Sequence, residues 1–184
     1  MDIITPPELH LLLGVMNHLV DNMMKTYEEV TMEWIKECDA ERQITYGGTG
    51  FNGNACRKLL AKVDNLRRLC NQSENNADCL EYVDVLQKFN SVVDECFGMT
   101  LKPNFKRSIR LFKEAYLLLN ISVTPKVHAV FFHVEEFCDK HGKSLGFFSE
   151  QAVETVHSDF YNVWSKYKVF KKHSKYNAVS LNGA

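Results

Sequence analysis

The chain has 184 residues, 45% of them hydrophobic and 24% charged, with a formal net charge of -1. That length suits one globular domain, and the balanced charge points to no nucleic-acid or membrane partner by bulk electrostatics, so any such surface must be local. The opening Met1-Asp2-Ile3-Ile4-Thr5-Pro6-Pro7 is acidic and proline-bearing where a secretory signal would be basic and then apolar, and no apolar run approaches the roughly 20 residues of a membrane span. A nuclear or cytoplasmic protein is expected.

Helical periodicity begins at about Pro6 and runs to Tyr27, with Leu9, Leu12, Leu13, Met16, Leu19, Val20 and Met23 at three- and four-residue spacing. The prolines suit a first turn, whose amide donors are unpaired anyway. A short second helix passes through Val30, Trp34 and Ile35, followed by a glycine-rich interruption from Tyr46 to Asn54, read as a shaped loop. A third helix is predicted from an N-cap at Asn54 through Leu59, Leu60, Val63 and Leu66. After a polar loop from Asn71 to Asp78, a fourth helix carries Leu80, Val83, Leu86, Phe89, Val93 and Phe97. A fifth begins after Pro103 and buries Ile109, Phe112, Tyr116 and Leu119. Ser122 to Pro125 breaks the chain before a sixth, with Val127, Val130, Phe131, Val134 and Phe137 inward, and Gly142 and Gly146 bracket the next turn. The last helix runs from about Ser149 to Tyr167. The expectation is an all-α fold of about seven helices in one domain over residues 1–168, with a basic, frayed tail at 169–184.

Six cysteines, at positions 38, 56, 70, 79, 96 and 138, include no C-x-x-C pair and read as apolar packing residues. On the last helix Glu150, Glu154 and His157 share one stripe, a set that suits either a divalent cation or a solvated polar face. His128 and His133 are five apart, about 140° around a regular helix, which is awkward for chelation unless one sits at the helix end. Cys138 and His141 lie near enough in sequence to complete a zinc set, although unliganded histidines are the plainer reading. The glycine loop leading into Asn54, Arg57 and Lys58 has the makings of an anion cradle at a helix N-terminus, or of an ordinary turn. Lys102, Lys106, Arg107, Arg110 and Lys113 make a basic side on the fifth helix, and lysines 166, 168, 171, 172 and 175 load the C-terminal end; either is a phosphate-tracking surface or a solvated face.

In order along the chain, Asn52-Gly53-Asn54-Ala55-Cys56-Arg57-Lys58-Leu59, His128-Ala129-Val130-Phe131-Phe132-His133-Val134-Glu135 and Gly146-Phe147-Phe148-Ser149-Glu150-Gln151-Ala152-Val153-Glu154 resemble the C-terminal part of the catalytic core of the V(D)J recombinase and its DDE transposase relatives. The resemblance extends from Leu9 to about Lys168. It implies a helical insertion and a terminal catalytic helix of a ribonuclease-H-like fold, here without the β-sheet. Glu154 matches the family's metal-binding glutamate, with Glu150 as the alternative one turn away. His128 and His133 match two histidines that share a zinc with an upstream C-x-x-C. Arg57 and Lys58 fall where the family meets DNA phosphates next to the active site.

The departures are as informative. This sequence has no C-x-x-C and no match to the two strand aspartates, so magnesium or manganese would be held only with carboxylates from elsewhere, and no catalysis is expected of the chain alone. The function expected is that of a DNA-binding domain on duplex phosphates through Asn54, Arg57, Lys58, Lys106, Arg107 and Arg110. The alternative is an interaction module that pairs with a full-length relative or with itself, with or without structural zinc.

Overall fold

A computed structural model describes residues 7–45, 48–72 and 78–148, all within the unit Met1–Phe148. The expected last helix, with Glu150, Glu154 and His157, and the basic tail lie outside the described residues. Helices dominate in chain order: α1 Glu8–Thr26, α2 Glu28–Glu37, α3 Gly53–Ala61, α4 Val63–Asn71, α5 Cys79–Val92, α6 Phe105–Leu118 and α7 Pro125–His141. A π-helical turn at Val93–Phe97 extends α5, and a 3-10 turn at Leu145–Phe148 follows α7. The fold is all-α with seven helices among the described residues, as the periodicity predicts, but the division differs in three places.

The glycine-rich interruption is not simply a loop. Gln43–Thr45 (β1) and Gly48–Gly50 (β2) pair antiparallel, with Gln43 opposite Gly50 and Ile44 opposite Thr49. Three-residue strands carry too little alternation to be legible. Secondly, the N-cap of α3 is Asn52 and not Asn54: the Asn52 side chain accepts from the Ala55 amide at 2.9 Å. Thirdly, the single helix predicted through Leu59 and Leu66 is two, broken at Lys62. The Trp34 indole N–H donates to the Lys62 carbonyl at 3.0 Å, which satisfies a carbonyl at the break from a residue 28 positions away.

Other boundaries follow local rules. Pro7 is the N-cap of α1 and not part of its first turn. Thr124 caps α7, with Pro125 in the first turn. Gly142, at φ 59°, ends α7 in the left-handed region, its amide donating to the Cys138 carbonyl at 2.8 Å.

Helices α1 and α5 form the centre. α1 packs on α2, α3, α5 and α7, and α5 on α4 and most extensively on α6. Leu12, Val15, Met16, Leu19, Val20 and Met23 give α1 a fully buried face. A chain of aromatic rings ties α5, α6 and α7 together: Phe89 lies 5.0 Å from Phe112, and Phe131 lies 5.5 Å from both Phe112 and Tyr116. Tilted and edge-on ring contacts of this kind add to the burial of area and hold helices in register. The six cysteines are buried free thiols, in keeping with the packing reading. Burial pushes the Cys56 thiol up to about 12. Among the described residues, no helix is long and apolar enough to cross a membrane.

Candidate nucleic-acid interface

The start of α3 collects Asn54, Arg57 and Lys58 on an exposed surface, as expected, but the side chains they meet change what the site can do. The Arg57 guanidinium donates to Glu8 Oε1 at 2.5 Å, and the Glu8 side chain is only 2% exposed. Burial raises the Glu8 carboxyl above its ordinary value, and the facing Arg57 charge pulls it back down. Lys58 donates to both the carboxylate and the carbonyl of Asp39, each at 2.9 Å. Asp39 has a left-handed backbone (φ 50°), and its carboxyl is held below the ordinary range by Lys58.

The small cavity beside Asn52 and Asn54 is lined by Asp39, Glu41 and Gln43 as well as Lys58. Two carboxylates there against one ammonium make a poor anion cradle, and the Ala55 amide is already taken by Asn52.

Helix α6 presents a different surface. Its apolar side carries Phe105, Ile109, Phe112 and Tyr116 into the core. Lys106, Arg110 and Lys113, at i, i+4 and i+7, therefore share a face beside that stripe, with Arg107 adjoining. These four cations line one groove of about 500 Å³ with Ile109, Phe131 and a single carboxylate, Glu135 of α7. Lys106 is ion-paired with Asp139, which raises its pKa, and Arg110 stands 3.9 Å from Glu114. The Lys113 ammonium lies 3.9 Å above the Phe132 ring. Arg107 has no ion-pair partner among the described residues. Lys102, also expected on this side, pairs instead with Asp94 of the π-helical turn.

His128 and His133 do meet. Pro125 places His128 in the first turn of α7, and the two exposed imidazoles stand 5.3 Å apart, centroid to centroid. The side chains expected to complete a set are occupied elsewhere. Cys138 is buried with its thiol against Cys96, and His141 packs on Phe137 and Phe148. Among the described residues no group of three His, Cys, Asp or Glu side chains is placed to hold a metal ion.

Three features of this surface escape the sequence reading. Glu8 shows no sign of being buried against a partner 49 residues away. Glu135 and Asp139 read as ordinary exposed acids of α7 until α6 is set beside them. Phe132 reads as one more residue of an apolar helix, yet it is 47% exposed while Phe131 is buried.

Comparisons with family models, with curated proteins and with solved structures find no match for this chain.

Proposed function

We propose that this chain is a DNA-binding helical domain, derived from a DDE transposase, that holds the phosphate backbone on the basic groove between α6 and α7. One observation carries the reading: Lys106, Arg107, Arg110 and Lys113 converge on one groove that contains a single lining carboxylate. The competing Asp139 and Glu114 are half exposed or more, so their pairs are screened and weak, and a phosphate can replace them. Arg57 takes second place in this reading, because moving it onto a phosphate would leave Glu8 buried without its counter-charge, and Lys58 does so because its cavity also holds the carboxylates of Asp39 and Glu41. The resemblance to the recombinase family supports DNA as the ligand. It also leaves the chain without two of the three family carboxylates, so the reading assigns it no reaction of its own. Zinc at His128 and His133 would need two further ligands from outside the described residues.

The test is a titration with a short labelled duplex, by fluorescence anisotropy, at low and at physiological salt. Phosphate binding predicts an affinity that falls steeply with salt as counterions are released. Absence of binding at low salt would reject the reading.

A second reading has its own observation. Leu117, Leu118 and Val123 are 55%, 76% and 44% exposed around the turn between α6 and α7. Neighbouring exposed apolar side chains suit a protein partner, including a full-length relative or a second copy. Light scattering that reports a monomer at all concentrations would remove the second copy from that set.

A further inference from the structure

The end of the cation row is not only basic. Lys113 lines the groove and at the same time covers Phe132, with its ammonium 3.9 Å from the ring centroid. His128 packs against the same ring at 4.7 Å. Phe131, the preceding residue, already supplies the core contact, so Phe132 is not needed to close the aromatic chain and stays 47% exposed. A half-exposed aromatic ring beside a row of cations is the combination that takes a nucleotide with its base unstacked: the ring receives the base, and the cations receive the phosphates. In a duplex the base faces are stacked on one another and closed to a protein side chain. The backbone and the base edges stay open, and neither can stack on the ring.

Resting on the phosphate-binding reading above, we infer that the α6/α7 groove prefers an unpaired DNA strand to a duplex, with a base stacked on Phe132 and phosphates on Lys106, Arg110 and Lys113. Lys113 is the exchange element. In the free protein its ammonium occupies the ring; on binding it moves to a phosphate, a charge-assisted contact stronger than an exposed cation–π pair, and yields the ring face to the base. The row also suits one strand geometrically. Seven residues of helix, from Lys106 to Lys113, span about 10 Å, on the scale of neighbouring phosphates along one strand.

The experiment compares the full chain's binding to a labelled oligothymidine of about a dozen nucleotides with its binding to a duplex of the same length, at one salt concentration. The expected result is single-strand binding at least about tenfold tighter. Phe132→Leu, which keeps the apolar bulk without the π face, should lose about tenfold on the single strand and leave duplex affinity unchanged. Phe132→Trp should retain single-strand binding, and unchanged helical circular dichroism in both variants shows that the fold is intact. Equal affinity for the two forms, or a Phe132→Leu variant that loses nothing, overturns this inference while leaving the phosphate reading in place. Failure of the duplex to bind at low salt overturns the phosphate reading and this inference with it.

Discussion

Two basic surfaces of similar composition differ in what their cations are for. At the start of α3, Arg57 answers a buried carboxylate, whereas Lys58 answers the exposed Asp39 and is held only as loosely as the cations of α6. On α6, Lys106 and Arg110 meet only half-exposed acids, Lys113 meets an aromatic ring, and Arg107 extends from the row with no ion-pair partner among the described residues. The sequence shows Arg-Lys in one place and Lys-Arg in the other. Availability is set by the partner's burial. A guanidinium that neutralises a buried carboxylate is part of the fold, because withdrawing it strands a charge in low dielectric. A cation facing an exposed acid can change partners at little cost.

The largest effect expected from this contrast is on binding. Replacing Lys106, Arg107, Arg110 and Lys113 together by alanine should lower DNA affinity at physiological salt by at least about a hundredfold and reduce the salt slope by about three to four. Anisotropy at several salt concentrations reads both, and circular dichroism should show the fold retained. If the quadruple variant binds like the wild type, the comparison is the wrong way round.

Stability should respond in the opposite place. Arg57→Met is expected to destabilise the chain by about 3 kcal/mol in urea unfolding at neutral pH, because Glu8 is then buried without compensation. The pH dependence has a definite sign. A folded-state carboxyl above the ordinary 4.5 means that the stability linked to Glu8 is full below pH 4.5 and declines as pH rises through the folded value. Removing Arg57 pushes that value higher, so the variant's deficit should shrink on acidification and grow toward neutrality. A deficit that is flat with pH would mean that Glu8 is not the cause. The double variant Glu8→Gln, Arg57→Met should recover part of the loss.

A smaller effect probes the packing of the 3-10 turn on the end of the π-helical turn. A Cβ at Gly146 would stand 2.4 Å from the carbonyl oxygens of Phe97 and Gly98, so the backbone of the π-helical turn would have to move. Gly146→Ala should destabilise by about 2 kcal/mol in the same assay, and a neutral substitution would show that this contact is not held. Smallest is the α3 cap. Asn52→Ala should cost about 1 kcal/mol by removing the acceptor of the Ala55 amide, with DNA binding unchanged. Loss of binding there would restore the start of α3 as the primary interface.

Much of the fold was legible, and the reasons for the misses are specific. The start of α7 is written in Thr124-Pro125 and its end in Gly142, because caps act within a few residues. Most of the core faces of α1 and α5 follows from spacing, but Leu9, Leu13 and Leu80, expected inside, are only partly buried, and Leu11, Val15, Tyr82 and Val85 are buried beside them. The break at Lys62 was not legible, since the indole that satisfies it arrives from α2. Asn54 was a plausible cap by residue type, but Asn52 is where the chain leaves the β2 strand and turns into the helix. The histidine pair was placed awkwardly by helical angles, yet the rings approach to 5.3 Å.

The sequence by itself determined the helical class, most helix boundaries and many of the residues that face inward, because those depend on periodicity and on caps that reach no further than one turn. Only the tertiary structure decided which cations are free. Arg57 is claimed by Glu8 across 49 residues, Cys138 is turned into the core against Cys96, and α6 and α7 are set side by side so that four cations line one groove and Lys113 meets the exposed Phe132 ring. Pairing and burial are properties of surfaces brought together by packing, and local pattern carries no record of them; the exposed Phe132 ring, for one, joins the row only through Lys113.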